Sequence, residues 1–115
     1  MKLKTSELTG AALGWAVAEA NGTPIYRSGQ TLTRMDVDER NAYWQPSTDW
    51  AQGGPIIERE WVSVEKRDNE LHWSATLRFA NGNRTRERGP TPLIAAMRCY
   101  VASKLGDEIE IPEGL

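Results

Sequence analysis

Four groups of residues in this 115-residue chain carry side chains from which a site can be built. Cys99 and His72 are the two partners that nucleophilic sulfur chemistry requires. Cys99, however, falls in the middle of a run with helical spacing, away from the helix N-terminus that favours a thiolate, and the ordinary role of such a cysteine is inert core. Asp49, Glu58 and Glu60 form an acidic set. Acid–base catalysis needs one of them held protonated near neutrality, whereas acids outside a catalytic motif more often cap and solvate. Trp44 and Trp50 flank Ser47-Thr48-Asp49, a helix start whose free amides attract anions. Thr91 opens a second such start, and Arg98, nearly two turns on, offers a guanidinium for phosphate. Indole faces and unpaired amides are the parts of a nucleotide site; they are also the parts of a capped helix beside a packed Trp. Finally, Arg78, Arg84, Arg86 and Arg88 crowd one stretch, a local basic patch whose commoner meaning is a solvated hairpin.

Composition narrows the choice. One His and one Cys, on different elements, cannot supply the ligands of a usual transition-metal site. No metal or cofactor is expected. The single cysteine excludes an internal disulfide and suits a reducing compartment. The net charge of −2 argues against nucleic-acid binding by the chain as a whole. No apolar run approaches the roughly 20 residues of a membrane span, and Met1-Lys2-Leu3-Lys4 is followed by no apolar leader segment. Five Trp against one Phe point to some indoles in half-wet positions, since Trp adds an N–H donor that Phe lacks.

These groups have to be positioned by helices and a sheet. Thr5 or Ser6 can cap a first helix with Glu7 in its first turn, and Leu8, Ala12, Trp15 and Ala16 share a face. Gly10 and Gly14, one turn apart, suggest a close backbone approach, and Asn21-Gly22 stops the helix. Residues 23–46 read as a long loop with one edge strand at most, and Asp36 to Arg40 within it as a solvated charge run. Ser47 caps a short helical turn that Gly53-Gly54 breaks; Pro55 then starts a second stretch through Trp61, helical in preference to extended. Trp61 to Glu65 alternates as a strand. Leu71, Trp73, Ala75, Leu77 and Phe79 mark one buried strand face, with His72, Ser74, Thr76 and Arg78 on the other. Asn81-Gly82 signals a type I′ hairpin, and the polar return to Arg88 an edge strand. Thr91 caps, and Pro92 opens, a helix to Leu105 that carries Leu93, Met97, Tyr100 and Val101 on one side. Asp107 to Pro112 lays one short strand or trails.

Three blocks, Lys4-Thr5-Ser6-Glu7-Leu8-Thr9-Gly10, Pro46-Ser47-Thr48-Asp49-Trp50-Ala51-Gln52-Gly53-Gly54-Pro55-Ile56-Ile57 and Gly89-Pro90-Thr91-Pro92-Leu93-Ile94-Ala95-Ala96-Met97-Arg98, resemble the phage NinX family over nearly the whole chain. The order of elements is similar, more loosely, to phage ABA-sandwich domains. The resemblance implies a phage accessory protein of the host cytoplasm and a fold; it supplies no mechanism.

The expected protein is a single α+β domain over residues 1–115. It has a small antiparallel β-sheet with N-terminal, middle and C-terminal helices packed on it, in an α/β/α sandwich-like arrangement. The expected function is non-catalytic binding of a small anionic, nucleotide-like ligand, such as a host defence signal, by Trp44, Ser47, Thr48, Asp49, Trp50, Thr91 and Arg98. Two alternatives stand beside it. One is an interaction module that inhibits or redirects a host protein, marked by an exposed aromatic patch. The other is a small nucleotide hydrolase using Asp49 and Glu58. A homo-oligomer is expected of so small and Trp-rich a domain; membrane and nucleic-acid partners are not.

Overall fold

A computed structural model describes residues 1–37 and 43–115. At its centre, β4 (Ser63–Glu65), β5 (Trp73–Arg78) and β6 (Arg84–Gly89) form an antiparallel sheet in that order. The helix α3 (Pro92–Leu105) crosses one face of this sheet. Thr91 Oγ1 accepts from the Ile94 amide, Pro92 sits where a missing N–H costs nothing, and Gly106 ends the helix. Gly89 permits the tight crossing: a Cβ there would lie 2.7 Å from the Ala95 amide nitrogen. The other side of α3 meets α1 (Gly10–Asn21) and α2 (Trp50–Glu60). A helix covered on both sides has no solvent stripe, which is why α3 buries Leu93, Ala95, Ala96, Met97, Cys99, Tyr100, Val101 and Ala102 all round.

The α+β class is borne out, with the strands divided among three small antiparallel sheets. β2 (Ile25–Ser28) and β3 (Thr31–Arg34) form a hairpin against α1. β1 (Lys2–Lys4) pairs with β7 (Glu108–Glu110), so the tail does lay a strand. The core joins Leu8, Leu13, Val17, Leu32, Trp44, Ile56 and Ile111 to the buried face of α3.

Several local expectations are corrected. Thr5–Glu7 is a separate 3-10 turn, and Thr5, buried, donates its hydroxyl to the Gly106 carbonyl at 2.6 Å rather than capping α1. Residues 23–46 hold a hairpin, not a loop with a single strand. Its two-residue turn, Gly29-Gln30, has Gly29 at φ +61°, the left-handed geometry that primed turns require. Part of the expected charge run, residues 38–40, lies outside the described residues. The Asn81-Gly82 turn is not type I′: only Gly82 has positive φ, its amide bonds the Phe79 carbonyl at 3.0 Å, and the loop has three residues. Gly53-Gly54 does not break α2, which runs on through Pro55. Gly53 is where this helix touches the Pro46 carbonyl and Leu93, so tertiary contact overrides its weak propensity. Leu71 is 88% exposed, so the buried face of β5 begins at Trp73.

Candidate functional site

A cavity of about 210 Å³ is lined by Gly10, Ala11, Gln30, Thr31, Leu32, Trp44, Gln45, Ser47 and Thr48. It lies at the start of α1. Thr9 stands at the N-cap but makes no side-chain cap bond, so the first amides of the helix keep their donor capacity. Gly10 (φ +54°) turns the chain into the helix, and no atom lies within 4 Å of where its Cβ would be. The β2–β3 turn closes one side through Gln30 and Thr31. Trp44 closes another. Its indole N–H donates to the Gly14 carbonyl at 2.8 Å, and the missing side chain of Gly14 leaves room for Leu32, whose Cδ1 would lie 3.2 Å from a Cβ there. Arg34 sits over the Trp44 ring at 5.2 Å and is paired with Asp36, whose carboxyl it holds below the usual range. Ser47 and Thr48 complete the lining from the turn before α2. A positive helix end, hydroxyls and side-chain amides thus face one small hollow with an indole wall.

Three of the seven expected site residues, Trp44, Ser47 and Thr48, meet here. The other four do not. Asp49, not Ser47, caps α2: its Oδ1 accepts from the Ala51 amide at 2.9 Å. A carboxylate at that helix end occupies the place an anion would take. Trp50 begins α2 and is 56% exposed, outside the cavity lining. Thr91 spends its hydroxyl oxygen on capping α3. Arg98 lies on the sheet side, donating to the carbonyls of Leu8 and Arg88 at 2.9 Å each, where it ties α3 to the N-terminal segment and to β6. Gly10, Ala11, Gln30 and Thr31 were not foreseen. Thr9-Gly10 as a helix start was their available signal, obscured by the earlier Thr5-Ser6-Glu7.

The catalytic candidates are engaged elsewhere. Cys99 is fully buried, donates to the Thr85 carbonyl at 3.3 Å, and burial pushes its thiol up to about 12. His72 is exposed at the start of β5. Glu60 lies between Arg59 (3.0 Å) and Lys104 (3.4 Å); the Arg59 hydrogen bond above all holds its carboxyl below the ordinary range, the opposite of what a general acid needs. Glu58 is exposed on α2. Among the described residues no group of three or more His, Cys, Asp or Glu is placed to hold a metal ion. No helix among them is long and apolar enough to cross a membrane.

Comparison with known proteins adds the lineage. No curated protein matches the chain. The family model described as bacteriophage P22 NinX matches residues 4–104 of the 115, a span that takes in the cavity, α1, α2, the central sheet and all of α3 but its last residue. The chain therefore belongs to the phage P22 NinX family.

Proposed function

We propose that this phage protein is a non-catalytic accessory binder that holds a small anionic, nucleotide-like ligand in the cavity at the start of α1. The observation that carries the reading is the uncapped α1 N-terminus opening into a hollow walled by Trp44, Ser47, Thr48, Gln30 and Thr31. Amides at a helix start are suited to phosphate oxygens. The starts of α2 and α3 are already satisfied by Asp49 and Thr91, so the anion is assigned to α1. At about 210 Å³, the cavity is below the roughly 300–1,000 Å³ of usual small-molecule sites. It takes the phosphate group, and the rest of the nucleotide lies across its mouth. A nucleotide-derived host defence signal is the ligand class with both parts, and sequestering one is the role assigned to the protein.

Isothermal titration with inorganic phosphate and with mono-, di- and cyclic nucleotides tests this. Heat is expected with at least one member and is lost in Ala11→Glu. That substitution sets a carboxylate at the cavity while favouring the first turn of α1, so folding is retained. No heat from any member removes the proposal.

A second reading has its own observation. Trp50 and Trp61, at the two ends of α2, are 56% and 86% exposed, and Trp61 adopts φ +59°, a left-handed conformation uncommon for a bulky residue. Rings so placed suit contact with a host protein or with a second copy of the chain. A host protein recovered with the wild-type chain and not with Trp61→Ala supports that reading.

A further inference from the structure

The open face of the central sheet carries a charge pattern that the cavity at α1 does not use. The register sets Ser74 opposite Arg88, Thr76 opposite Arg86 and Arg78 opposite Arg84. Directly opposed residues share a face, so all four arginines project from the side away from α3. β4 adds Ser63 and Glu65 to that face through its pairing with Thr76 and Ser74. Arg78, Arg84, Arg86 and Arg88 are exposed and take part in no ion pair among the described residues, although Arg34 and Arg59 elsewhere are both paired. Glu65 is the single carboxylate in the strand positions of this face. Arg78 and Arg84 oppose each other directly, a like-charge pair that destabilises the hairpin unless an anion lies over it. At the β6 edge a groove of about 530 Å³ continues the patch, lined by Ser6, His72, Arg86, Glu87, Arg88 and Arg98.

From this we infer that the open sheet face binds the phosphate backbone of double-stranded DNA. Along β6 the three guanidiniums recur every second residue, roughly 6.8 Å apart at the backbone. Between them Ser63 and Thr76 supply hydroxyls, the usual companions of Arg in phosphate contacts, while the buried Ser74 accepts from Arg86 at 3.4 Å beneath the patch. The strand positions of this face contain no aromatic residue. Single-strand binders depend on aromatic stacking platforms, so this surface fits the dense phosphates of a duplex and reads no bases. Because the whole chain carries a net charge of −2, attraction to DNA has to come from this face rather than from overall charge.

Fluorescence anisotropy with a labelled duplex of about 25 base pairs, titrated at several salt concentrations, tests the inference. Four phosphate contacts give a slope of log K against log salt of roughly −3.6, or about a 100-fold loss between about 50 and 200 mM salt. The double variant R84Q/R86Q halves the slope to roughly −1.8 and weakens binding at least about tenfold at low salt. R84K/R86K, which keeps the charges, retains the slope. The pair K2Q/K4Q, with its two charges on β1, leaves binding unchanged. Circular dichroism confirms that the exposed substitutions leave the fold intact. Absence of duplex binding at low salt overturns the inference. So does binding only to a single-stranded oligonucleotide, binding only to an acidic polypeptide, or an undiminished slope in R84Q/R86Q. None of these outcomes bears on nucleotide titration at the α1 cavity.

Discussion

Two adjacent glycines in α2 respond oppositely to the same substitution. Gly53 and Gly54 both have negative φ inside the helix, so Ala at either position gains about 1 kcal/mol of intrinsic helix propensity. At Gly54 the new methyl meets only Trp50 Cε3, at 3.9 Å, an ordinary contact. Gly54→Ala is therefore stabilising by about 0.5–1 kcal/mol. At Gly53 the methyl would run into the Pro46 carbonyl and lie 2.6 Å from Leu93 Cδ1. One obstacle is backbone that cannot rotate away, so the cost falls near the top of the 1–3 kcal/mol range for overpacking. Subtracting the propensity gain leaves Gly53→Ala destabilised by about 1–2 kcal/mol, a fall in Tm of roughly 4–8 °C for a domain of this size. Urea and thermal unfolding of the two variants beside wild type measure the difference. A Gly53→Ala protein as stable as wild type refutes the account of α2 as a helix pressed against the Pro46 turn and α3. A destabilised Gly54→Ala points to a wrong helix orientation.

Two further outcomes follow from titratable groups that the fold withdraws wholly or partly from water. Cys99, buried and with its thiol pushed up to about 12, resists a thiol reagent in the native protein at mildly alkaline pH and reacts fully once the chain is unfolded; rapid native labelling contradicts its placement. Glu87 faces α3, and burial first, then the nearby Asp107, raises its carboxyl above the ordinary value. Its stabilising contribution is thus fully present below its unfolded pKa and is lost as pH rises through the folded one. Glu87→Gln is therefore expected to raise the urea midpoint at about pH 7.5 more than at about pH 4, and an equal change at both contradicts the burial argument.

What could be read from the sequence followed how local the cause was. The start and end of α3 were legible because Thr91, Pro92 and Gly106 act within their own turn. β5 and β6 were legible because alternation and the arginine-rich return depend only on the period of a strand. The β2–β3 hairpin was not, since four-residue strands alternate too weakly to stand out and only the Gly29-Gln30 turn marked them. Gly53-Gly54 looked like a break because a glycine pair shows its weak propensity locally and its close contact only in three dimensions. The cavity was half visible. Trp44, Ser47 and Thr48 stood together in sequence, but the helix end facing them belongs to α1, more than 30 residues earlier, and only folding brings the two together. Arg98 pointed the other way because its place on α3 aims it at the sheet edge.

The pairing of β1 with β7 governs the order in which the molecule can be completed. Leu3 meets Ile109, the Thr5 amide bonds the Asp107 carbonyl at 2.8 Å, and the Met1 amino group reaches the Ile111 carbonyl across 110 positions. Contacts of such sequence separation close the largest loop in the chain and are the slowest to be rewarded. During synthesis the first strand emerges with no mate and stays an open edge until the last one leaves the ribosome. Closure therefore waits for β7, and the growing chain passes through a stage in which β1 is free to be captured.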